Sequence, residues 1–220
     1  MNIIILSRNS ALYSTQSLFK AAAARGHFVR ILDHMYCDLR MKTGKLEIFY
    51  EDEKIDGYDV IIPRIGNTAT SYGAAVVRQF QSMGIFSTLD HEALLRTRDK
   101  LSSLQLLASA GIGIPDTIIS NNSYIIPELI EKLGSMPMII KMLSGTHGIG
   151  VLKADNASTA ENLIETFQKL RQRVLLQEFI KESKGADIRV FIVDDEIVGV
   201  MQRQAKPGEF RSNLHRGGGS

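Results

Sequence analysis

A single lysine followed by a glycine-rich segment is the part of this sequence best suited to phosphate chemistry. Lys141 ends an apolar run that begins at Met138, and Gly145, Gly148 and Gly150 follow within nine residues. Glycine lets backbone N–H groups crowd around an anion, and a lysine beside such a loop adds a point charge suited to phosphate. The segment does not end in the Gly-Lys-Ser/Thr of a Walker loop, and a short apolar run follows it. The pattern predicts a strand, a glycine lid and a second strand, although an ordinary glycine-rich hairpin fits it too.

Two further polar segments could complete a nucleotide site. The first is Arg-Asp-Lys at 98–100, where the sequence predicts the start of a helix, and the second is Gln-Glu-Phe-Ile at 177–180, where it predicts the end of a strand. A strand end of this kind can offer backbone donors and acceptors to the edge of an adenine, between apolar walls. Each segment also has a plain structural interpretation, with Lys100 as a solvated helix residue and Glu178 as the partner of Lys141.

The elements that position these groups begin with a Rossmann-like domain over residues 1–97. Buried strands at 3–6, 29–32 and 60–63 alternate with helices at 15–25 and 71–83, which predicts a parallel α/β sheet, with a small hairpin near 45–54. Ser14 is the expected cap of the first helix, and Pro63 is the expected end of the third strand. Ser-Arg-Asn-Ser at 7–10 lacks the glycine fingerprint of dinucleotide sites, so dinucleotide binding is not expected.

The pattern of predicted elements changes after residue 97. Over residues 98–186 the sequence predicts an α+β domain that contains the glycine lid. Its predicted helices lie near 100–110, 127–133 and 157–170, and its predicted strands near 117–120, 138–141, 151–153 and 174–178. Apolar runs at 188–193 and 196–204 surround the acidic pair Asp194-Asp195, which predicts an antiparallel hairpin. No helix that could cover this hairpin follows before Ser220. We therefore expect either a fragment of a longer protein or a third domain, begun at residue 187, that is cut short.

Arg64 stands at the carboxyl end of the third predicted strand, just before Gly66. Ligand sites of parallel α/β sheets gather at this edge. Two interpretations fit the position equally: a bidentate contact with a substrate carboxylate, or a structural salt bridge.

Composition excludes several classes of function. The 220 residues are 44% hydrophobic and 23% charged, as in globular proteins, and the net charge of +2 argues against a dedicated nucleic-acid binder. A single cysteine, Cys37, excludes an intrachain disulfide and favours a reducing compartment. No apolar run approaches the roughly 20 residues that a membrane helix needs. We therefore expect a cytoplasmic protein without direct contact to membrane or nucleic acid.

The motifs, taken in order, resemble those of the ATP-grasp ligases. They are Arg-Asp-Lys at 98–100, Lys141 with its glycine segment, Gln-Glu-Phe-Ile at 177–180 and Asp-Ile-Arg at 187–189. Closer still is the resemblance to the RimK-type members of this family, which covers the whole chain. It rests on Leu6-Ser-Arg8, Pro63-Arg-Ile-Gly66, Lys184-Gly-Ala-Asp-Ile-Arg189 and Phe210-Arg-Ser-Asn-Leu-His-Arg-Gly-Gly218.

This resemblance implies an ATP-dependent carboxylate–amine ligase with the ATP-grasp architecture. In that architecture residues 1–97 would be the Rossmann-like pre-ATP-grasp domain, residues 98–186 the central lid domain, and residues 187–220 the start of an incomplete catalytic domain. ATP phosphorylates a carboxylate to an acyl phosphate, and an amine then attacks it to give an amide, ADP and phosphate. For the RimK type it implies that a cytoplasmic homo-oligomer adds L-glutamate to the C-terminal tail of a small-subunit ribosomal protein. Two alternatives stay open: a related ligase acting on a cofactor or an amino-group carrier protein, and a non-catalytic nucleotide-binding module.

The resemblance also implies roles for individual residues. Lys100 and Lys141 would meet the phosphates, and the lid would exclude water from an acyl phosphate that otherwise hydrolyses. His147 stands where relatives often carry glutamine. The implied nucleotide-binding set is Lys100, Lys141, Gly145, His147, Gly148, Gly150, Glu178, Phe179, Ile180, Asp187, Arg211, Ser212 and Asn213. The implied catalytic set, facing the phosphates and the acyl-phosphate oxygens, is Arg189, Arg203, Arg211 and Asn213.

The family's two magnesium ions (or manganese) have no ligands in this prediction. They are bound through an Asp and a later Glu-x-Asn pair, and nothing after Arg189 supplies that set. The acids at 194–196 are expected for turn formation alone, and Glu209 looks isolated. The ligands are therefore expected beyond Ser220. As given, the chain is expected to bind ATP weakly and not to turn over.

Overall fold

The computed structural model describes residues 1–121, 125–143 and 150–212. The chain forms two compact units, Met1–Gln105 and Leu106–Ser220. The predicted divisions at residues 97 and 186 stay predictions.

A four-stranded parallel sheet forms the frame of the N-terminal unit. β1 (Asn2–Ser7) lies between β2 (Phe28–Leu32) and β6 (Val60–Arg64), and β7 (Phe86–Ser87) pairs with the start of β6. The apolar β1 is buried because it has a strand on each side and helices α1 (Tyr13–Ala23) and α2 (Thr70–Ser82) in the same unit. This arrangement confirms the predicted parallel α/β sheet.

A small antiparallel sheet packs into the same core and is larger than predicted. β3 (Cys37–Lys42), β4 (Lys45–Tyr50) and β5 (Glu53–Lys54) form three strands where the sequence indicated one hairpin at 45–54. Their buried Cys37 and Ile48 join the cluster that contains Phe80 of α2. α3 (His91–Arg98) was not predicted. It begins at the cap Asp90, whose Oδ1 accepts from the Glu92 and Ala93 N–H groups.

Two local predictions were wrong. Leu12, not Ser14, is the N-cap residue of α1, and no side chain caps that helix. Pro63 does not end the third strand, because β7 pairs only with Val60 and Ile61 and β6 is an edge strand at the proline. The helix predicted to open at 98–100 is confirmed. Arg98 ends α3, and Asp99 caps α4 (Lys100–Ser109) by accepting the N–H groups of residues 101 and 102.

An antiparallel sheet covered on one side forms the first part of the C-terminal unit. Its order is β10 (Val151–Ala154), β9 (Met138–Met142), β11 (Val174–Glu178) and β8 (Thr117–Ile119). Helices α5 (Ile126–Leu133) and α6 (Ala157–Lys169) pack their apolar residues on the side chains of Met138, Ile140 and Leu176. The predicted α+β unit is confirmed, with helix ends that differ by one residue.

The predicted hairpin is confirmed and begins two residues earlier than expected. β12 (Ala186–Val193) pairs antiparallel with β13 (Glu196–Gln204). Asp194 and Asp195 both have positive φ, at 52° and 64°, as a two-residue hairpin turn of type I′ requires. In the described part of the chain, no helix has the length and apolar character to span a bilayer.

Candidate functional site

The helix-free face of the C-terminal sheet places Lys141 beside polar groups. Ile140 and Leu176 point into the core beneath α5 and α6, so their strand neighbours Lys141 and Gln177 point to the other face. Thr117 lies directly opposite Gln177 on β8 and shares that face.

These side chains form a continuous hydrogen-bonded chain. The Lys141 ammonium donates to Gln177 Oε1, and Gln177 Nε2 donates to Thr117 Oγ1 at 2.8 Å. Thr117 Oγ1 in turn donates to the Pro115 carbonyl at 2.8 Å. Gln177 is only 5% exposed, so its amide is fixed and holds the ammonium at the sheet surface. Sequence reasoning gave Gln177 no role, because its meeting with Lys141 depends on the β9–β11 register.

The end of β11 differs from the predicted strand edge. β11 is an interior strand, and the Glu178 N–H already donates to the Asp116 carbonyl at 2.9 Å. The Glu178 carboxylate accepts from the Asp116 N–H at 3.3 Å. Beyond the strand, the Ile180 N–H has no hydrogen-bond partner within the described ranges, and the residue is 38% exposed. The Ile180 N–H is therefore a donor available to the edge of a ligand.

Phe179 lies in an aromatic and cationic cluster that the sequence did not reveal. The Lys153 ammonium is 5.1 Å from the centroid of the Phe179 ring, and the Phe210 ring meets Phe179 edge-on at 6.4 Å. The Arg211 guanidinium lies 5.0 Å from the Phe210 centroid. Cations over aromatic faces are favourable contacts. This cluster links the end of β11 to β10 and to the segment after β13.

Asp187, Arg203 and Ser212, all predicted site residues, come together at the base of the hairpin. Arg203 lies directly opposite Asp187 and binds it through two bonds, one from Nε at 2.7 Å and one from Nη2. The Ser212 hydroxyl donates to the same carboxylate at 2.7 Å. The Arg203 and Ser212 hydrogen bonds lower the pKa of Asp187 below its usual value. Arg189 is exposed on the same side of β12, and its charge lowers that pKa further.

Glu209 is not isolated, contrary to the sequence analysis. Arg211 holds its carboxylate through Nε at 3.0 Å and Nη2 at 2.7 Å, and donates a third bond from Nη1 to the Val151 carbonyl at 3.2 Å. The hydrogen bonds from Arg211 lower the pKa of Glu209 to about 2. The carboxylate is therefore ionised and paired at neutral pH.

The remaining predicted residues are distributed between the two units. Lys100 begins α4 in the N-terminal unit, and burial lowers the pKa of its ammonium, against the opposing charge of Asp99. Gly150 has φ of +71°, and a Cβ there would lie 2.7 Å from Met142 Cγ, so this position requires glycine. Gly145, His147, Gly148 and Asn213 lie outside the described residues.

The residues of the described ranges do not fit a divalent metal. They contain no group of three or more His, Cys, Asp or Glu side chains that could hold an ion. Asp187 at the base of the hairpin and Glu209 after it are each bound by an arginine.

Comparison with known proteins matches nearly the whole chain to two domain families. Residues 1–94 match the RimK PreATP-grasp domain, and residues 97–220 match the RimK-like ATP-grasp domain. A probable alpha-L-glutamate ligase 1 from Hahella chejuensis is 51% identical over 218 residues, which are 99% of this chain and 72% of that protein. A probable alpha-L-glutamate ligase from Nitrosococcus oceani is 50% identical with the same coverage.

Solved structures show the same fold at much lower identity. A RimK domain protein ATP-grasp from Sphaerobacter thermophilus has a TM-score of 0.69 at 19% identity, covering 97% of this chain and 75% of that one. D-alanyl-alanine synthetase A from Vibrio cholerae has a TM-score of 0.68 at 13% identity, covering 98% and 70%. The predicted ATP-grasp architecture is thereby confirmed.

Proposed function

Because this chain belongs to the RimK-like ATP-grasp family of ATP-dependent ligases, we propose that it joins the amine of L-glutamate to an ATP-activated carboxylate. The observation that carries the proposal is identity near 50%, over 99% of the chain, to proteins named as probable alpha-L-glutamate ligases. The reaction forms an acyl phosphate on the acceptor carboxylate. The glutamate amine then displaces phosphate, and ADP is released at the first step.

The C-terminal unit contains groups suited to nucleotide contacts in this chemistry. Lys141, fixed by Gln177, would neutralise phosphate charge. Lys100, in the N-terminal unit, keeps its proposed role toward phosphate. The Ile180 N–H and the Phe179 ring suit the edge and the face of an adenine, and Gly150 belongs to the proposed lid with Gly145, His147 and Gly148. ATP would supply the phosphoryl group, and the residues of this chain would bind it and exclude water.

Arginines have the proposed catalytic roles, and some of their N–H donors already bind carboxylates of this chain. The bonds of Arg203 to Asp187 use Nε and Nη2, which leaves Nη1 for a phosphate oxygen. We propose that Arg189, Arg211 and Asn213 face the same oxygens, with Asp187, Glu178 and Ser212 on the nucleoside side. Lys206 adds to the local basic excess, which suits an anionic substrate.

The proposed acceptor is the C-terminal tail of a small-subunit ribosomal protein. Its support is the resemblance of the segment at 210–218 to the RimK type. A related ligase acting on a cofactor or an amino-group carrier protein is the alternative acceptor class. We also propose a cytoplasmic homo-oligomer that uses magnesium or manganese, which light scattering and metal titration of the purified protein would test. The buried Cys37, with its thiol pKa raised by burial to about 12, is compatible with that compartment.

The ligase proposal is tested by the substrate dependence of ADP release. The complete gene product is incubated with ATP, magnesium, L-glutamate and a peptide that ends in a free carboxylate. We expect ADP only when both substrates are present, together with a mass gain of one glutamyl residue on the peptide. The same peptide with an amidated C-terminus is the matched control. Equal ADP release without glutamate or without the peptide would contradict the proposal.

We further propose that residues 1–220 alone do not turn over, because their described part holds no metal-binding group of three side chains. The same observation favours a second candidate, a non-catalytic nucleotide-binding module. The intact mass of the native protein separates the two. A mass near 24.4 kDa favours the module. The matched 218 residues make up 72% of a relative, which is therefore about 300 residues long. A native chain of that length favours the ligase.

A further inference from the structure

The N-terminal sheet has the strand order at whose carboxyl edge α/β proteins form a ligand-binding crevice. From β1 the chain passes through α1 to β2 on one side, and it later returns to β6 on the other side. The strand order therefore reverses between β1 and β6, and ligands bind outside the carboxyl ends of strands at such points. The segments at 8–12 and 65–69 border this crevice.

Arg64 is half-buried at this edge, and no carboxylate pairs with it among the described residues. It is the last residue of β6 and lies opposite Ser7 of β1. Its Nη2 donates to Ser14 Oγ at 2.6 Å, and its Nε is buried with no partner. In the described ranges no acid lies within ion-pair distance of Arg64, so the structural salt bridge considered from the sequence is not found there. A buried cationic donor without a partner is costly, and an acceptor missing from the structure is the simplest explanation.

The neighbours of Arg64 are donors too. Ser14 lies in the first turn of α1, whose N-cap Leu12 provides no side-chain acceptor, so the positive end of this 11-residue helix is uncapped. Arg8, just after β1, donates to Thr68 Oγ1 at 3.0 Å and has no ion pair among the described residues. The acid near this edge, Asp33, caps the short turn at 34–36 by accepting from the Met35 N–H. The crevice thus combines two guanidinium groups and a helix N-terminus.

We propose that this crevice binds a carboxylate of the ligase substrate that is not the one activated by ATP, with Arg64 as the main contact. The Arg64 fork presents Nε to one carboxylate oxygen, and the Ser14 hydroxyl and the first turn of α1 supply further donors. This inference rests on the proposed function, since the ligand is either free L-glutamate or the acidic end of an acceptor peptide. Arg8 acts as a positioning residue, because it ties the two bordering segments together.

Arginine side-chain NMR tests the crevice directly on residues 1–220. The Arg64 Nε–Hε signal is followed during titration with L-glutamate, with a peptide ending in a free carboxylate, and with the amidated peptide. We expect that one of the first two ligands moves this signal and that the amidated peptide does not. That result also identifies which source supplies the carboxylate. An unmoved Arg64 signal with all three ligands would overturn the proposal.

Matched variants give a second readout. Arg64→Gln should weaken binding of the active ligand at least tenfold. Arg25→Gln, just after the opposite end of α1, should leave it unchanged, because the Arg25 guanidinium donates to the Ala21 carbonyl of its own helix. Arg64→Lys, which keeps the charge without the fork, should fall between the two. Equal binding by the Gln variants at 64 and 25 would overturn the proposal. If Arg64→Gln does not fold, the wild-type Nε signal decides.

Failure of the crevice and failure of the ligase proposal give different results. In one outcome, Arg64→Gln releases ADP in a glutamate-dependent way and has an unchanged KM for both substrates. This result would contradict the crevice proposal and support the ligase proposal. Ligand binding at Arg64 without substrate-dependent ADP release would keep a carboxylate site and remove the ligase.

Discussion

Arg203 and Arg64 both lie at the ends of strands, yet their surroundings are opposite. Arg203, 8% exposed in the C-terminal unit, is bound through two nitrogens by Asp187. Arg64, in the N-terminal unit, is half-buried; among the described residues its side chain hydrogen-bonds only a hydroxyl, and its Nε is buried without a partner. Removing one member of a charged pair leaves the other uncompensated, whereas removing an arginine that has no carboxylate partner leaves no such charge behind. The pair therefore contributes to stability, and the unpaired arginine indicates a ligand.

Other residues extend this contrast between the two units. In the C-terminal unit Lys141, Gln177 and Thr117 satisfy one another through direct hydrogen bonds. In the N-terminal unit His34 follows β2 at the same carboxyl edge as Arg64, is fully buried, and has no partner for either ring nitrogen. Within the described residues, three of the four buried side-chain atoms without a partner belong to His34 and Arg64 at this edge, and the fourth is the Ser135 hydroxyl of the C-terminal unit. The charged groups named in the C-terminal unit are paired, whereas Arg64 in the N-terminal unit has no carboxylate partner.

The largest expected effect is the loss of activity on substitution of Lys141. The hydrogen bonds of this lysine also fit a purely structural role, which the substitution tests. Lys141→Ala in the complete gene product should lower substrate-dependent ADP formation on the order of 100-fold or more, because a phosphate charge in the transition state loses its counter-charge. Lys132→Ala, an exposed lysine of α5, is the control and should retain the wild-type rate. A near wild-type rate for Lys141→Ala would show that Lys141 has a structural role and does not act on the phosphates.

The pair Asp187–Arg203 should affect stability more than any other charge in the comparison. Arg203→Gln should lower the free energy of unfolding by about 1–2 kcal/mol, since Asp187 loses its charged donors while its side chain, 39% exposed, recovers some hydration. Urea unfolding of residues 1–220 measures this change, with the exposed Arg189→Gln as control. Equal stability of the two variants would show that the pair contributes nothing.

The pH dependence of the same pair follows from the lowered pKa of Asp187. A carboxylate with a folded-state pKa below its ordinary 3.8 contributes stability that is fully present above that value and is lost as pH falls through the folded pKa. Wild type should therefore lose more stability than Arg203→Gln on acidification below about pH 4. Parallel unfolding curves in that range would rule out this linkage.

Substitution of His34 should change stability by a smaller amount, and here the cause is a buried group without a partner and not a charged pair. Burial lowers the pKa of His34 below 6.5, so the unfolded chain binds a proton more readily than the folded one. Its stability contribution is fully present above pH 6.5 and falls as pH drops below it. His34→Leu should remove this dependence and raise stability at pH 7 by up to about 1 kcal/mol, because no buried ring nitrogen stays unpaired. Thermal melts between pH 5 and 7.5 measure both effects, and His27→Leu, at a histidine that is only partly buried, is the control.

Sequence patterns predicted the sheets and most helices because burial and period are local properties. The apolar run at β1 and the alternation around Asp194 each occupy a few neighbouring residues. α3 was missed because it has a single buried residue, Leu94. The bonds from Lys141 to Gln177 and from Arg203 to Asp187 join different strands, so they depend on register, which a single sequence does not specify.

The smallest change in stability is expected for substitution of Arg64. This measurement decides whether Arg64 differs from the paired Arg203. Arg64→Gln removes one hydrogen bond to Ser14 and also removes a buried donor that has no partner, so the two terms offset each other. The free energy of unfolding should change by less than about 0.5 kcal/mol, in urea and in the absence of ligand. Adding the carboxylate ligand should then stabilise the wild type and not the variant. A loss as large as that of Arg203→Gln would make Arg64 a structural residue, and the distinction between a paired and an open arginine would no longer hold.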